Sequence, residues 1–234
     1  MPAADRSVDG PLPIPGFGTV YGTVLNFRGA LAALGDAVNH PPYAAPPRAP
    51  VLYLKPANTR LGTGHPIPVP DDVPALEMGG TLGIVIGRTA CRVSESAALD
   101  HVAGYTVVND VCVPHASLYR PAIRQRCRDG FCPATVLTPR SAVADPDRLA
   151  LRIFVNGALR AENSTANLIR PVARLIADIT AFLTLSAGDV LLVGIPENAP
   201  QAAAGDRVRI EIDGVGVLKN PLVSESILAE GAAP

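Results

Sequence analysis

Short apolar runs separated by glycine, proline and asparagine dominate the chain, and this pattern predicts strands more often than helices. Residues 82–86 (LGIVI) are apolar throughout, which is typical of a strand buried on both faces. Residues 151–155 and 158–161 flank Asn156-Gly157, a dipeptide that supplies the two positive φ angles of a type I′ hairpin turn. Further strands are predicted at residues 18–25, 51–54, 105–108, 190–193, 207–212 and 215–218.

Helical periodicity is clear in one segment, residues 171–183. Its apolar residues recur at steps of three and four, which places them on one face: Val172, Leu175, Ile176, Ile179, Phe182 and Leu183. Pro171 suits the first helical position, because its missing N–H would have no partner there. Shorter helical turns are predicted at residues 30–34 and, after a cap at Ser94, up to about His101. The pattern as a whole predicts an α+β fold dominated by strands.

The composition narrows the class of protein. The 234 residues suit one large domain, or one domain with a short N-terminal extension. Hydrophobic residues make up 48% of the chain, enough for a sizeable core and an apolar subunit interface. A net charge of −1 gives no electrostatic case for nucleic acid or an anionic membrane as a partner. No apolar run reaches the roughly 20 residues of a membrane helix and the N-terminus lacks a signal-peptide pattern, so we expect a cytoplasmic protein.

The Pro-rich run at residues 41–50 (PPYAAPPRAP) is the best candidate for a boundary. It divides residues 1–50, an N-terminal arm and small lid portion, from residues 51–230, the main domain. The four cysteines and four histidines do not show the spacing of a metal site. We expect reduced, mostly buried thiols, with a disulfide or a zinc site as the alternative, and histidines that belong to the surface or the core.

A series of short motifs resembles the fumarylacetoacetate hydrolase superfamily from about residue 51 to residue 225. The motifs are Leu54-Lys55-Pro56, residues 82–87 (LGIVIG), residues 103–106 (AGYT) with Asn109-Asp110, residues 128–133 (RDGFCP), residues 155–157 (VNG), Thr165-Ala166, Gly188-Asp189-Val190 and residues 214–220 (GVGVLKN). Each motif is weak alone, and their order and spacing carry the resemblance. It implies the superfamily's mixed β-sandwich roll for the main domain.

A second resemblance is closer. Residues 119–123 (YRPAI) and 127–133 (CRDGFCP) are similar to the N-terminal half of the bifunctional isomerase/decarboxylases of homoprotocatechuate (4-hydroxyphenylacetate) breakdown. In that family two homologous halves are fused, or are made as separate subunits. The resemblance implies that this chain is the separate first subunit, in a homodimer or in a hetero-oligomer with a metal-bearing homologous subunit.

The metal site that the resemblance implies is incomplete in this chain. It consists of a Glu-x-Glu pair at the start of a strand and an Asp from a later strand, which hold Mg²⁺ or Mn²⁺ and, through it, a 2-oxo acid. Gly79 and Thr81 stand where the glutamates belong, so Asp110 is the one ligand that carries over. One carboxylate and one hydroxyl predict little affinity for either metal. Glu77 has the strand parity of the missing pair and is an alternative ligand, although it lies roughly 6–7 Å farther along the strand.

Other groups that the resemblance implies are also replaced. Ala30 and Ala33 stand where a His and a Glu of a short lid would provide the general base. Arg126 replaces a lysine and keeps its charge, but a guanidinium is not readily deprotonated. Residues 193–196 (VGIP) replace a Thr-Gly-Thr-Pro loop that helps to bind the substrate.

The remaining polar residues form the candidate site. By resemblance we expect Lys55, Arg126 and Asp129 to be catalytic. A second set is expected to bind a di- or tricarboxylate 2-oxo acid: Tyr119, Arg120, Arg128 and Thr165. The structural alternatives are a solvated basic face for the arginines, a salt bridge between Arg128 and Asp129, a helix cap at Thr165 and a turn at Asp110.

Three functions stay open at this point. In the first, the chain is a subunit of a 2-hydroxyhepta-2,4-diene-1,7-dioate isomerase and 5-oxopent-3-ene-1,2,5-tricarboxylate decarboxylase in aromatic catabolism. In the second, it is a non-catalytic structural subunit with a degenerate metal site. In the third, it is a free-standing acylpyruvate hydrolase or oxaloacetate decarboxylase, both of which need the metal.

Overall fold

The computed structural model describes residues 17–115 and 121–231, and it confirms the strand-dominated α+β fold. In chain order the strands are β1 (Val20–Val24), β2 (Val51–Lys55), β3 (Arg60–Gly62), β4 (Ile67–Val69), β5 (Leu76–Glu77), β6 (Gly80–Ile86), β7 (Val102–Asn109), β8 (Cys132–Ala134), β9 (Thr138–Pro139), β10 (Ala150–Val155), β11 (Ala158–Ser164), β12 (Val190–Leu192), β13 (Gln201–Ala202), β14 (Arg207–Ile212) and β15 (Gly216–Ser224). The α-helices are α1 (Arg28–Ala32), α2 (Ile123–Arg126), α3 (Val172–Thr180) and α4 (Glu225–Gly231). Turns of 3₁₀ helix cover Gly35–Asn39, Ala57–Thr59, Glu95–His101, Arg140–Ala142 and Thr165–Asn167.

The strands are arranged in two main sheets. One has the order β2-β1-β12-β6-β7-β8-β3, with β9 paired to β7, and the other has the order β11-β10-β14-β15-β4. Strand β6 is buried along its whole length, as its apolar run predicts, because it lies between β12 and β7 in the first sheet. Strand β1 pairs with β2 and β12, so residues before the Pro-rich run contribute a strand to the main sheet.

The predicted hairpin and long helix are present, with differences at the helix ends. Asn156 and Gly157 have φ angles of 52° and 81°, as the hairpin turn requires. The predicted buried face of α3 is confirmed except at its end: Phe182 is 67% exposed, because the helix stops at Thr180. Pro171 precedes the first turn instead of opening it, and the free N–H of Val172 donates to Asp147 Oδ1 at 2.8 Å.

The C-terminal part departs further from the prediction. The last strand, predicted at residues 215–218, extends to Ser224 because it pairs with β14 on one side and β4 on the other. Helix α4, which the pattern did not predict, follows directly. The four cysteines are free thiols, two of them buried and one, Cys91, exposed. None of the helices in the described ranges is both long enough and apolar enough to cross a membrane.

Candidate functional site

Three separate segments bring a group of four polar side chains together in the interior. Tyr53 and Lys55 are two residues apart on β2, Asp110 follows the end of β7, and Arg126 ends α2. Because side chains two residues apart share a face of a strand, Tyr53 and Lys55 point the same way. We call these four residues the ionic cluster.

The Lys55 ammonium is held on every side by oxygen. Its Nζ lies 2.6 Å from Asp110 Oδ1, and it donates to the carbonyls of Val111 (2.8 Å), Arg126 (2.8 Å) and Phe131 (2.9 Å). The side chains of Lys55 and Asp110 are both 0% exposed. An ammonium has three hydrogens. With four oxygen neighbours, Lys55 is left with no donor for a substrate.

The second carboxylate oxygen of Asp110 is also occupied. Arg126 Nη1 lies 3.1 Å from Oδ2, and the Tyr53 hydroxyl donates to the same atom. Burial and the charge of Asp110 raise the pKa of Tyr53 well above its ordinary value, so the phenol keeps the proton that it donates. Burial alone would lower the pKa of Arg126, but the charge of Asp110 and neighbouring groups raise it above its ordinary value. The guanidinium also lies over the Tyr53 ring, 4.8 Å from its centre.

The two positions that lack a glutamate are filled by other contacts. A Cβ atom on Gly79 would lie 2.5 Å from the Asp110 carbonyl oxygen and 2.6 Å from Ile195 Cδ1. The Thr81 hydroxyl is fully buried and donates to the Gly194 carbonyl at 2.6 Å. The described residues contain no group of three or more His, Cys, Asp or Glu side chains that could hold a metal. The residues present at this position therefore do not fit Mg²⁺ or Mn²⁺.

A cavity of about 330 Å³ opens beside the ionic cluster, and we call it the lid cavity. The residues that line it include four of the five replaced positions outside the glutamate pair, namely Ala30, Ala33, Arg126 and Ile195, while the fifth, Val193, does not line it. Four of the changes read from the sequence thus surround one space, although they come from distant parts of the chain.

Two carboxylates also line the lid cavity. Burial raises the pKa of Glu77, an effect that the nearby charges of Arg126 and His115 oppose. Glu197 accepts from Asn163 Nδ2 at 3.2 Å through Oε1, while its Oε2 is buried without a partner among the described residues. Its carboxylate packs against α1, where a Cβ on Gly29 would lie 2.1 Å from Glu197 Cδ.

Sequence reasoning missed three residues of this site: Tyr53, His115 and Glu197. His115 lies 3.1 Å from the Val113 carbonyl oxygen through Nδ1, and its Nε2 has no hydrogen-bond partner in the described ranges. The sequence could have identified Tyr53, because it lies two residues before Lys55 and so shares a face of the same predicted strand. The sequence offered no such signal for His115 or Glu197, because both follow irregular segments.

Other predicted residues lie away from the cavity. Asp129 is exposed and accepts from Asn58 Nδ2 at 2.7 Å. The ion pair of Arg128 is with Glu225, at 4.0 Å, and not with Asp129. Tyr119 and Arg120 lie outside the described residues.

Thr165 does not line the lid cavity either. Its side chain is buried, and its Oγ1 accepts from the backbone N–H of Leu149 at 2.8 Å. The alternative of a cap at Thr165 is wrong by one residue, because Ser164 is the N-cap and accepts from the N–H of Ala166.

Comparison with known proteins agrees with the fold and with the motifs. The family model "Fumarylacetoacetate (FAA) hydrolase C-terminal" matches residues 19–223. The chain is 41% identical over 212 residues to the 4-hydroxyphenylacetate degradation bifunctional isomerase/decarboxylase of Salmonella dublin. The match covers 91% of this chain and 48% of that protein, so the chain spans about half the length of the relative.

Two solved structures are also similar to this chain in fold and in sequence. A 2-hydroxyhepta-2,4-diene-1,7-dioate isomerase from Mycobacterium marinum has 31% identity and a TM-score of 0.72, over 88% of this chain and 75% of that one. A maleylpyruvate hydrolase from Sphingobium, in complex with manganese and pyruvate, has 27% identity and a TM-score of 0.76, over 91% of this chain and 73% of that one. The family match spans most of the chain and the motifs lie in the matching order, so this protein belongs to the fumarylacetoacetate hydrolase family.

Proposed function

We propose that this chain is the metal-free subunit of a 2-hydroxyhepta-2,4-diene-1,7-dioate isomerase and 5-oxopent-3-ene-1,2,5-tricarboxylate decarboxylase. It would work in a complex with a homologous subunit that carries the metal. The similarity to one half of the bifunctional isomerase/decarboxylase supports the choice of reaction. The observation that supports a metal-free role for this chain is that protein groups surround the Asp110 carboxylate: Lys55 Nζ lies 2.6 Å from Oδ1, and Arg126 and Tyr53 donate to Oδ2.

The buried cluster argues against a free-standing hydrolase or decarboxylase. Those activities need a metal to bind a 2-oxo acid, and in this chain a metal would have to displace Lys55 and Arg126 from Asp110. Separating a buried ion pair typically costs about 3–5 kcal/mol. In the proposed complex, the Arg126 guanidinium of this chain attracts a substrate carboxylate, and the homologue supplies the metal chemistry.

A purely structural subunit is the second candidate, because the same cluster stabilises the interior without any ligand. The two candidates differ in what Arg126 does. A contribution to substrate binding requires the Arg126 charge to affect turnover of the assembled complex. A structural role requires only that the two chains assemble.

The test is reconstitution. The purified chain is assayed with Mn²⁺ on the dienoate, first alone and then with a homologue that has the Glu-x-Glu pair. We expect no turnover by the chain alone, and faster turnover with both chains than with the homologue alone. The Arg126→Gln variant should raise the KM of the complex, whereas Arg160→Gln, at an exposed site on β11, should not.

Assembly is followed by size-exclusion chromatography in the same samples. Wild-type turnover from the Arg126→Gln complex would favour the structural candidate. Turnover by the chain alone, abolished in Asp110→Ala, would contradict both candidates.

A further inference from the structure

A second cavity, of about 390 Å³, adjoins the lid cavity along the edge strand β2. We call it the edge cavity. The two cavities share a wall formed by Val24, Tyr53, His115 and Arg126. The volume is within the range of small-molecule sites, roughly 300–1,000 Å³.

The edge cavity combines charged or polar lining residues with apolar ones. At the shared wall are the Arg126 guanidinium and the unpartnered His115 Nε2. The lining is otherwise largely apolar and includes Val51, Leu54 and Ile123, which are 38%, 50% and 63% exposed. Large aliphatic side chains this exposed, grouped around one cavity, are typical of a surface that a ligand or partner covers.

The charge at the shared wall favours an anion. Lys55 and Arg126 carry two positive charges against the one negative charge of Asp110, and all three side chains are at most 11% exposed. Two further carboxylates, Glu77 and Glu197, line the lid cavity, and no described carboxylate lines the edge cavity. An anion in the edge cavity therefore meets the excess positive charge without facing a like charge on the same wall.

We propose that the edge cavity binds an organic acid with an apolar body, whose carboxylate Arg126 holds directly and without a metal. Guanidinium and carboxylate form strong charge-assisted hydrogen bonds. The hydrocarbon part of the acid covers Val51, Leu54 and Ile123. This site shares Arg126 with the lid cavity, where the proposed reaction would take place, but binding of an acid by the chain alone does not depend on that reaction.

The experiment is calorimetric titration of the purified chain, in EDTA, with octanoate. Two further probes separate the parts of the site: octanamide lacks the charge, and succinate lacks the apolar body. We expect octanoate to bind with one site per chain. We expect octanamide and succinate each to bind roughly tenfold more weakly or worse, about 1.4 kcal/mol.

Variants of a charged and of an apolar lining residue test the two contributions independently. Arg126→Gln should weaken octanoate binding about tenfold, and Arg126→Lys should restore part of it. Leu54→Asp changes an exposed side chain and leaves the buried cluster intact, so it keeps the test valid if Arg126→Gln folds poorly. The matched controls are Arg160→Gln and Leu159→Asp, on the exposed strand β11.

Three results would overturn the proposal. They are an absence of octanoate binding at millimolar concentration, equal binding by wild type and Leu54→Asp, and binding that appears only after Mn²⁺ replaces EDTA. Each is independent of whether the two-chain complex turns over the dienoate, so failure of this proposal is distinguishable from failure of the proposed function.

Discussion

Two of the ionic networks among the described residues, each with three charged side chains, differ mainly in their contact with water. In the ionic cluster, Lys55, Asp110 and Arg126 have side chains 0%, 0% and 11% exposed. On the outer face of the second sheet, Arg152 lies 3.0 Å from Glu162 and 2.8 Å from Asp213, with the three side chains 31–57% exposed. The nitrogen–oxygen distances are similar in the two networks, so distance alone does not distinguish them.

The difference in exposure determines how much stability is lost when one partner of an ion pair is removed. In the outer network, water and dissolved ions solvate whichever partner is left when the other is removed. In the ionic cluster Lys55 and Asp110 are fully buried, so these two depend on the other members for their solvation. The buried network also contains Asp110, which the resemblance to the family predicts to be a metal ligand. The two protein cations offset the charge of Asp110, and each of its carboxylate oxygens lies close to one of them.

Among the residues of the two networks, we expect substitution of Lys55 to lower the stability of the protein most. Lys55→Met leaves Asp110 with the charge of Arg126 and the hydroxyl of Tyr53, and it leaves three backbone carbonyls without their donor. We expect a loss of about 3–5 kcal/mol in the free energy of unfolding, measured by urea denaturation. Lys219→Met, at an exposed lysine of β15, is the control. Equal losses in the two variants would show that the buried network is no more important than a surface charge.

A smaller effect is expected where the glutamate pair is missing. Gly79→Ala places a Cβ against the Asp110 carbonyl oxygen and Ile195, and such overpacking typically costs about 1–3 kcal/mol. Adding Ile195→Val removes the contact with Cδ1 and should recover part of the loss. For the same steric reason, replacing Gly79 and Thr81 together by glutamate should not restore Mn²⁺ binding, as followed by the EPR signal of free Mn²⁺. A gain of tight Mn²⁺ binding would contradict this account.

The third prediction concerns pH. Burial raises the folded-state pKa of Glu77 above 4.5, so between 4.5 and that pKa the folded protein binds more protons than the unfolded chain. The resulting destabilisation grows as the pH rises through this window and is complete above it. Glu77→Gln should therefore raise the melting temperature more at about pH 8 than at about pH 4. A gain that shrinks as the pH rises would contradict the prediction; Glu162→Gln is the control.

The smallest effect is expected in the outer network. Arg152→Gln leaves Glu162 and Asp213 in contact with water, so we expect little change in the melting temperature, and less still at high salt. A loss as large as that of Lys55→Met, measured under the same conditions, would remove the distinction between the two networks.

Much of the fold could be predicted because local rules govern it. The alternation of residues 207–212 and the Asn156-Gly157 turn depend on near neighbours only. The prediction failed where distant partners decide the outcome: β15 is longer than its apolar run because β4 and β14 pair with it. Phe182 continues the helical period of α3, but the chain has left the helix before reaching it.

The sequence by itself determined the family and the absence of the glutamate pair, since motif order and residue identity are properties of the chain. It also placed Lys55, Asp110 and Arg126 among the candidates. Only the tertiary structure decided that these residues bind one another, that Tyr53 joins them, and that the replaced positions Ala30, Ala33 and Ile195 surround one cavity. The physical reason is that ion pairing and desolvation depend on distance and burial in space, which separation along the chain does not specify.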